Sequence, residues 1–351
     1  MRIGIDARMM GKGYGLGRYV EELVAQLQQM ESDHEFVFLQ PDISWYSIEE
    51  QFKMPSVIKK AQVDLMHFPH WNVPFFYRGP FVVTIHDLTM YHYPRPEATT
   101  LGPILFWIKD VAHRMLIRRV VRKAKHIIVA SEFTKQDVHS TLGVPLDKMT
   151  VIYQAPFCKA HEADNTTHDF AKYGIDKPFV LYVGAAYPHK NLERLLEAWK
   201  IVEDEYTDQY QLVLAGKENY FWTRLRSSIA ERQSIKYIGF VPDEDLTLLY
   251  KRASLFVFPS LYEGFGLPPL EAMAHDVPVV SANSSCLPEV LGEGALYFNP
   301  EDIHHIARMI YQGLTDEDVR AELRANAGRE LSRYTARNFG LQTMNVYTLA
   351  A

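Results

Sequence analysis

Two glutamates separated by seven residues, Glu263 and Glu271, could accept hydrogen bonds from the hydroxyl groups of a ligand. The first lies in a glycine-rich turn after the apolar run Ser254–Phe258, which predicts a buried parallel strand. Pro268 and Pro269 suit the first positions of a helix, so we expect Glu271 in the first turn of that helix. A strand, a glycine loop and a helix N-terminus together predict an anion site.

The anion site and the two acids would bind different groups of one ligand. Free backbone N–H groups and the helix dipole favour phosphate, whereas a carboxylate repels it. Glu263 and Glu271 would therefore bind hydroxyl groups, and phosphate beside hydroxyl-binding acids suggests a nucleotide sugar. A capped surface helix with two solvated glutamates would show the same spacing. Gly264 and Gly266 favour the ligand site, because they allow a close backbone approach that capping does not need.

The same segment resembles the donor-site signature of the family-4 retaining glycosyltransferases, which have the GT-B fold. The resemblance implies that Glu263 contacts the donor sugar and takes part in catalysis, and that Glu271 holds the ribose of the nucleotide. It also implies that the turn residues Phe265, Gly266 and Leu267 bind the donor. This segment is therefore the predicted centre of the donor site.

A second glycine-rich segment, Gly11–Arg18, follows the first predicted strand and opens the predicted helix Tyr19–Gln28. Its glycines do not have the dinucleotide-binding spacing, because no third glycine stands at the required place. A flexible turn would explain the segment equally well. It resembles the N-terminal glycine loop of the family, which implies that Gly15 and Gly17 approach the donor diphosphate.

A histidine and an acid, His86 and Asp87, follow the predicted strand Phe81–Ile85. In a purely structural interpretation, Asp87 caps the next turn and His86 is packed. The family has a histidine at this point against the donor sugar, so the resemblance implies a catalytic position for His86 near the transferring centre.

A lysine, Lys190, stands at the start of a helix, after the predicted strand Phe179–Val183 and the glycine that follows it, Gly184. A flexible ammonium group there could pair with the β-phosphate as it departs. An exposed lysine in a turn is the alternative. The family carries a lysine–asparagine pair at this point, matched here by Lys190 and Asn191, so the resemblance implies that Gly184 and Lys190 belong to the donor site.

The elements that position these residues repeat one plan in two halves, in which short apolar runs alternate with helical segments. This alternation predicts an α/β fold of two Rossmann-like domains with parallel sheets, facing one another across a cleft, as in GT-B. Ligands in such sheets bind at the carboxyl ends of the strands. The predicted strands are Arg2–Asp6, Glu35–Leu39, Val63–His67, Phe81–Ile85, His126–Ala130, Met149–Tyr153, Phe179–Val183, Gln211–Ala215, Lys236–Ile238, Leu255–Phe258, Val277–Val280 and Ala295–Phe298.

The polar, irregular segment Gln154–Pro178 between the halves reads as an interdomain linker. The predicted domains are an N-terminal acceptor-binding domain (1–160), a C-terminal donor domain (161–335) and a last segment (336–351) that packs back on the first domain.

Composition narrows the class of protein and its compartment. A length of 351 residues suits two domains, and a net charge of −6 argues against a general nucleic-acid binder. Cys158 and Cys286 are too few for a disulfide framework and show no metal-ligand spacing, which fits a reducing cytoplasm. The chain opens on a strand and not on a signal peptide, and we expect no metal site.

One basic segment, Lys109–Lys125, interleaves lysines and arginines with apolar residues. It could contact anionic lipid headgroups on the inner face of the cell membrane, each basic residue contributing up to about 1 kcal/mol. An ordinary amphipathic helix with one face in the core is the alternative. Lipid-linked acceptors are common in the family, which favours peripheral membrane contact.

The stretches His67–Pro74 and Ser281–Glu289 look most like bacterial mannosyltransferases of polysaccharide assembly. The resemblance implies transfer of mannose from GDP-mannose, without a further cofactor, to a saccharide or a polyprenyl-linked saccharide. We expect acceptor binding in the first half, with His70, Trp71 and Asp87 as candidates, since a tryptophan face stacks well on sugar rings.

Other functions remain open at this point. A transferase that uses UDP-glucose or UDP-N-acetylglucosamine, or a nucleotide-sugar 2-epimerase, could share the fold. A non-catalytic scaffold is less favoured, because Glu263, Glu271 and Lys190 are all present. For transfer, the resemblance implies a same-face retaining route with an oxocarbenium-like transition state.

Overall fold

Strands and helices alternate along the chain in the structure, a computed structural model. All strand pairs are parallel, which confirms the predicted α/β class. Much of the predicted linker and the predicted boundary at 160/161 lie outside the described residues, as do Gly13 and Cys158. The structure describes residues 1–12, 15–96, 102–156, 170–230 and 232–351.

The chain divides into two compact units by its internal contacts. Unit 1 comprises Met1–Ala155 and Tyr334–Ala351, and unit 2 comprises Pro156–Arg333. The last helix of the chain therefore belongs to the unit built from the first half of the sequence.

Unit 1 is built on a six-stranded sheet in the order β2-β1-β3-β4-β5-β6, so its switch in strand order falls between β1 and β3. Its strands are β1 (Arg2–Asp6), β2 (Glu35–Leu39), β3 (Leu65–Phe68), β4 (Phe81–Ile85), β5 (His126–Val129) and β6 (Met149–Val151). Its described helices are α1 (Leu16–Gln29), α2 (Ile48–Ala61), α3 (Thr89–His92), α4 (Pro103–Lys123), α5 (Glu132–Leu142) and α13 (Ala336–Leu349).

The core of unit 1 lies on both faces of this sheet, since every residue of β3 and β4 is buried. One face is covered by α1 and α13, which contribute apolar residues at helical spacing such as Leu23 and Leu27 of α1 and Phe339 of α13. Ile117 and Val121 of α4 pack on the opposite face. Burial of these apolar residues therefore fixes α1 and α13 on one face of the sheet and α4 on the other.

A chain of buried polar groups crosses the core of unit 1. The hydroxyl of Tyr347 in α13 lies 2.7 Å from His67 Nδ1, and His67 Nε2 lies 2.8 Å from Thr84 Oγ1. The Thr84 hydroxyl lies 3.0 Å from that of Tyr19 in α1. Burial lowers the pKa of His67 to about 3, so its ring is neutral at physiological pH. The last helix is therefore fastened by hydrogen bonds as well as by apolar packing.

Unit 2 is built on a second six-stranded parallel sheet, in the order β12-β11-β10-β7-β8-β9. Its switch in strand order falls between β7 and β10. The strands are β7 (Phe179–Val183), β8 (Gln211–Ala215), β9 (Ile235–Gly239), β10 (Leu255–Phe258), β11 (Val279–Ala282) and β12 (Ala295–Phe298). The described helices are α6 (Leu192–Ile201), α7 (Tyr220–Ala230), α8 (Asp243–Arg252), α9 (Leu267–Met273), α10 (Leu287–Leu291), α11 (Ile303–Thr315) and α12 (Glu317–Leu331).

Most predicted strands have the observed bounds, and two begin later than expected. The predicted strand Val63–His67 is Leu65–Phe68, and the predicted Val277–Val280 is Val279–Ala282. In the second case Pro278 has no N–H to donate to the ladder, although its carbonyl accepts from Phe256 at 2.9 Å. Regular pairing therefore starts only after the proline.

Candidate active site

The loops after β7 and β10 are neighbours at the switch in strand order of unit 2. Lys190 lies in the first loop and Glu263 in the second, and Lys190 Nζ forms an ion pair with Glu263 Oε1. Both side chains are largely buried, with 17% of Lys190 and 13% of Glu263 exposed. The structure thus brings together a cation and a carboxylate that the sequence places in separate motifs.

The ion pair packs against two aromatic rings. Lys190 Nζ is 5.6 Å from the ring centroid of Phe258, and the ring of Tyr182 stacks on Phe258 at 6.3 Å. Burial, with the charge of Glu263 as a second cause, raises the pKa of the Tyr182 hydroxyl well above its usual range. Water is therefore partly excluded beneath the pair, which strengthens electrostatic interactions at this point.

Asn191 fastens the loop that carries Lys190. Its backbone is left-handed, with φ 60°, a conformation that asparagine tolerates better than most residues. Its side-chain amide donates to the carbonyls of Pro259, at 3.2 Å, and Pro300, at 2.8 Å. Resemblance singled out the lysine–asparagine pair, but only the structure shows that Asn191 acts as an anchor between strand ends.

Two serines after β11 hold the loop that carries Glu263. The backbone N–H of Glu263 donates to Ser285 Oγ at 3.0 Å, and the Ser284 hydroxyl donates to the carbonyl of Ser260 at 2.7 Å. Neither serine caps α10, which is preceded by Cys286. Sequence reasoning did not find this role, because hydroxyl residues before a helix usually predict a cap.

Glu271 is 5% exposed and lies in α9, where its Oε2 accepts a hydrogen bond from the Tyr250 hydroxyl at 3.0 Å. Its expected place in the first turn is wrong. The helix begins at Leu267, so Glu271 opens the second turn. Gly266, with φ 90°, lets the chain enter the helix before the two prolines. A role for Glu271 toward a ribose remains a prediction.

The N-terminus of α9 offers fewer donors than an ordinary helix start. Its first three residues are Leu267, Pro268 and Pro269, and the two prolines carry no N–H. The side chain of Phe265 is buried, so this residue can reach a ligand only through its backbone. The predicted binding of an anion here would therefore depend on the turn amides and on Lys190.

Gly184 directly follows β7, beside the same loops. Its N–H donates to the carbonyl of Ala215 at 2.9 Å. A Cβ at this position would lie 2.7 Å from the Tyr182 hydroxyl. The small size of Gly184 therefore serves packing within unit 2, and its predicted contact with the donor would have to use the carbonyl group.

The two glycines chosen from the first glycine segment have different surroundings. Gly15 precedes α1 with φ 67°, and a Cβ there would meet nothing within 4 Å. A Cβ at Gly17 would lie 3.1 Å from the carbonyl oxygen of Met9. The space that a side chain of Gly17 would need is therefore occupied by the backbone of the preceding loop. Of the two glycines, Gly15 is the one with open space beside it for a ligand.

His86 lies at the end of β4 with both ring nitrogens engaged. Its Nε2 donates to the carbonyl of Pro69 at 2.8 Å, and its Nδ1 lies 3.4 Å from the side-chain nitrogen of Gln154. Burial lowers the pKa of His86. Asp87 accepts from the backbone N–H of Thr89 at 2.7 Å, as the structural interpretation expected. The ring of His86 is therefore held in place more than it is poised for proton transfer.

The two remaining acceptor candidates have unequal exposure. His70 is half-buried after β3, and its Nδ1 accepts from the N–H of Asn72 at 3.2 Å. Trp71 is 6% exposed and belongs to the core, with its ring 4.2 Å from that of His113. Its burial speaks against the expected stacking on a sugar, because another ring already covers the indole.

The basic segment forms most of α4 and has two faces. The buried face of α4 is the core stripe of an ordinary amphipathic helix, and the exposed face of α4 carries large apolar side chains, Trp107, Ile108, Val111 and Met115. In the described part of the chain, no helix is long and apolar enough to cross a membrane. Nor does that part contain a group of three or more His, Cys, Asp or Glu side chains arranged around a metal ion.

Comparison with known families matches both units. The family described as "Glycosyl transferases group 1" matches residues 165–330, and "Glycosyltransferase Family 4" matches residues 14–155. The chain is 31% identical to the O-antigen chain mannosyltransferase B of Escherichia coli over 294 residues, 81% of this chain and 74% of that protein. It is 28% identical to the O-antigen chain mannosyltransferase RfbU of Salmonella typhimurium, over 74% of this chain and 67% of that one.

Solved structures agree in fold. A sucrose-phosphate synthase from Thermosynechococcus elongatus matches with a TM-score of 0.75 and 20% identity, over 99% of this chain and 98% of that chain. WaaG, described as a glycosyltransferase involved in lipopolysaccharide biosynthesis, matches with a TM-score of 0.74 and 13% identity, over 99% of both chains. The protein is therefore a glycosyltransferase with the GT-B fold. It belongs to glycosyltransferase family 4, as the donor-site segment predicted.

Proposed function

We propose that the chain transfers mannose from GDP-mannose, with retention of configuration, to a saccharide or polyprenyl-linked saccharide in cell-surface polysaccharide synthesis. The nucleotide sugar is the co-substrate, and the proposal includes no metal or further cofactor. Two relatives named as O-antigen mannosyltransferases support the sugar and the pathway class. The expected compartment is the cytoplasm, at the inner face of the cell membrane.

The Lys190–Glu263 ion pair is the observation that best supports this proposal. In a nucleotide sugar, the β-phosphate and the sugar are directly bonded, so a protein must offer a cation and hydroxyl-binding groups side by side. Lys190 is suited to the phosphate and Glu263 to a sugar hydroxyl. Glu271, from the helix of the same loop, would accept from the ribose.

The proposed reaction breaks the bond between the anomeric carbon and the diphosphate oxygen, which keeps the electron pair. The acceptor hydroxyl attacks from the same face, and its proton passes to the departing phosphate oxygen. Lys190 stabilises the charge that develops on the leaving diphosphate. The ion pair with Lys190 also makes Glu263 a poor nucleophile, which favours this route over a covalent sugar–enzyme intermediate.

Thermal unfolding in the presence of donors tests the proposal. We would titrate the protein with GDP-mannose, UDP-glucose and UDP-N-acetylglucosamine and follow the melting temperature. A ligand at about a hundredfold its Kd adds about 2.7 kcal/mol of stability. Selective stabilisation by GDP-mannose is expected, and a response to a UDP-sugar alone would overturn the mannosyl assignment. Product analysis completes the test, since an acceptor-independent release of free sugar and nucleotide would indicate a 2-epimerase.

Peripheral membrane contact belongs to the same proposal, and its support is an exposed aromatic and basic surface. The rings of Phe52 in α2 and Phe76 lie 4.8 Å apart, and Phe76 contacts Phe75 at 5.5 Å. The guanidinium of Arg119 in α4 lies 4.2 Å above the ring of Phe75. These contacts join the exposed apolar face of α4 to two other elements. Apolar rings beside cations suit the interface of an anionic bilayer.

Flotation with lipid vesicles tests the membrane contact. The protein should bind vesicles that contain phosphatidylglycerol and bind less at high salt, because surface electrostatics are screened. Replacing Phe75 and Phe76 with serine should abolish binding. Equal recovery of wild type and variant with the vesicles would remove this surface from the proposal.

A further inference from the structure

A row of aromatic and imidazole rings lies at the carboxyl edge of the sheet in unit 1. The ring of His70 is 5.3 Å from Trp45 and 4.7 Å from Trp71, and Trp71 in turn contacts His113 of α4. The ring of Tyr46 lies 6.5 Å from His70 and 5.7 Å from Trp71. The row comes from three separate loops and helices, so the fold assembles it.

Tyr46 is exceptional in this row. Its side chain is 59% exposed, and its backbone is left-handed, with φ 60°, a conformation that is strained for an aromatic residue. Its N–H donates to Glu50 Oε2 at 2.8 Å. A large exposed ring held in a costly backbone conformation suggests that its place serves a ligand.

A buried charge network fixes both loops of the row. Arg8 donates to Asp6 at 2.6 Å and to Glu50 at 2.7 Å, and none of the three side chains is more than 2% exposed. The side-chain amide of Asn72 donates to Glu50 at 3.0 Å, so Glu50 holds Tyr46 on one side and the His70 loop on the other. The network therefore sets the geometry of the rings from below.

Several ring nitrogens of the row have no hydrogen-bond partner among the described residues. Trp45 Nε1 and both ring nitrogens of His113 are covered and unpaired, which is costly in a folded protein. Because His70 Nδ1 accepts from Asn72, the proton of a neutral ring lies on Nε2, where it can be donated to a ligand. The row thus offers donors to a ligand rich in oxygen.

The charge of the row favours a neutral ligand. Burial, with His86 and His113 as further causes, lowers the pKa of His70 well below its usual value, and burial also lowers the pKa of His113. The rings are therefore uncharged at physiological pH. Beneath them, Asp6 and Glu50 exceed Arg8 by one negative charge, which disfavours phosphate or carboxylate ligands.

We propose that Tyr46, His70 and Trp45 form a binding subsite for one neutral hexose ring of the acceptor saccharide. The sugar stacks on the exposed ring of Tyr46 and accepts a hydrogen bond from His70 Nε2. The unpaired Nε1 of Trp45 is the second donor, which a side-chain rearrangement on binding makes available to a sugar hydroxyl. This inference rests on the proposed glycosyl transfer and gives its acceptor a location and a chemical class.

Two substitutions test the subsite in the full chain. Tyr46→Gly removes the stacking ring and relieves the left-handed backbone, so its melting temperature should be no lower than that of the wild type. Trp45→Phe keeps an aromatic ring and removes the indole N–H together with the five-membered ring that carries it. With mannobiose as acceptor probe, the acceptor KM should rise about tenfold in Tyr46→Gly and about two- to tenfold in Trp45→Phe.

A control and a binding measurement separate the possible outcomes. Tyr206→Ala removes an exposed ring that precedes β8 at its amino end, and it should leave the acceptor KM unchanged. Saturation-transfer NMR with mannobiose should show binding to the wild type and a weaker signal with Tyr46→Gly. Unchanged KM values in both variants, or no mannobiose signal with the wild type, would overturn the subsite. Donor stabilisation reports on the proposed function separately.

Discussion

The candidate sites of the two units lie at corresponding places and differ in where their charges are. Each lies where the strand order of its sheet reverses, between β7 and β10 in unit 2 and between β1 and β3 in unit 1. In unit 2 the Lys190–Glu263 pair belongs to the predicted ligand-binding groups themselves. In unit 1 the ion pairs of Arg8 lie beneath the site, and the rings above them are neutral.

Under the two proposals, the same kind of sheet edge binds a charged ligand in unit 2 and a neutral ligand in unit 1. In the proposed reaction, the largely buried cation Lys190 would stabilise the leaving phosphate more than the bound donor. A charge network below the edge holds loops rigidly, and uncharged rings can then recognise a neutral sugar without a charged group in contact with it. If the charges of Arg8, Asp6 and Glu50 were exposed in the unit 1 site, they would disfavour a neutral sugar. Buried beneath the rings, they hold the loops of that site in place.

The largest expected effect comes from breaking the buried network of unit 1. Arg8→Met leaves two buried carboxylates without their cation, and we expect the free energy of unfolding to fall by about 3–5 kcal/mol. Urea unfolding of both proteins measures it. Arg224→Met is the matched control, because its pair with Glu193 is exposed and should contribute at most about 1 kcal/mol. Equal losses in the two variants would contradict a special role for the buried network.

The next effect concerns the cation of unit 2. Lys190→Met keeps most of the length of the side chain and removes its charge, so kcat at saturating donor should fall about a hundredfold or more. The melting temperature reports whether the variant is folded. Lys172→Met, which breaks the pair with Asp245, serves as control for the loss of a lysine in the same unit. A kcat within a factor of two of the wild type in a folded Lys190→Met would exclude Lys190 from leaving-group stabilisation.

The neutral histidines of unit 1 predict a stability that depends on pH. The pKa of His67 is about 3 in the folded protein and about 6.5 in an unfolded chain, so the unfolded chain binds the proton more tightly. The contribution of neutral His67 to the free energy of unfolding is complete above pH 6.5 and is lost as the pH falls toward 3. At pH 5 the loss from this residue alone is about 2 kcal/mol. Unfolding of wild type and His67→Gln at pH 7 and 5 measures it, with the exposed His304→Gln as control. A loss of the same size in His67→Gln would show that other groups cause the pH dependence.

Strand positions and the donor loop could be predicted from the sequence because their signals are local. Apolar runs such as Leu255–Phe258 mark strands that are buried on both faces, and glycines with prolines mark the turn into α9. The errors in bounds also have local causes. Pro278 delays β11, and the left-handed Gly266 advances α9 by a residue and moves Glu271 out of the first turn.

The partners of the site residues could not be predicted, because they depend on strand order and packing between distant segments. Nothing in the sequence around Lys190 or Glu263 shows that β7 and β10 are neighbours. Trp71 was a candidate because a tryptophan face stacks well on sugar rings, but its ring is covered by His113 from α4. Tyr46 lies in a polar segment without a motif, and its strained backbone is visible only in the structure.

The ion pair of Lys190 and Glu263 could act on the ligand or could serve only to hold the loops after β7 and β10 together. Glu263→Ala should lower turnover by about tenfold or more, and Glu263→Gln should lower it less if the amide still meets the sugar hydroxyl. The double variant with Lys190→Met decides the question. If Lys190 acts on phosphate and Glu263 on the sugar, the double variant should have a lower kcat than either single variant, although the contact between the two side chains keeps their effects from multiplying fully. If they only hold the loops, the second substitution should add nothing to the first, and the direct role of Glu263 would be refuted.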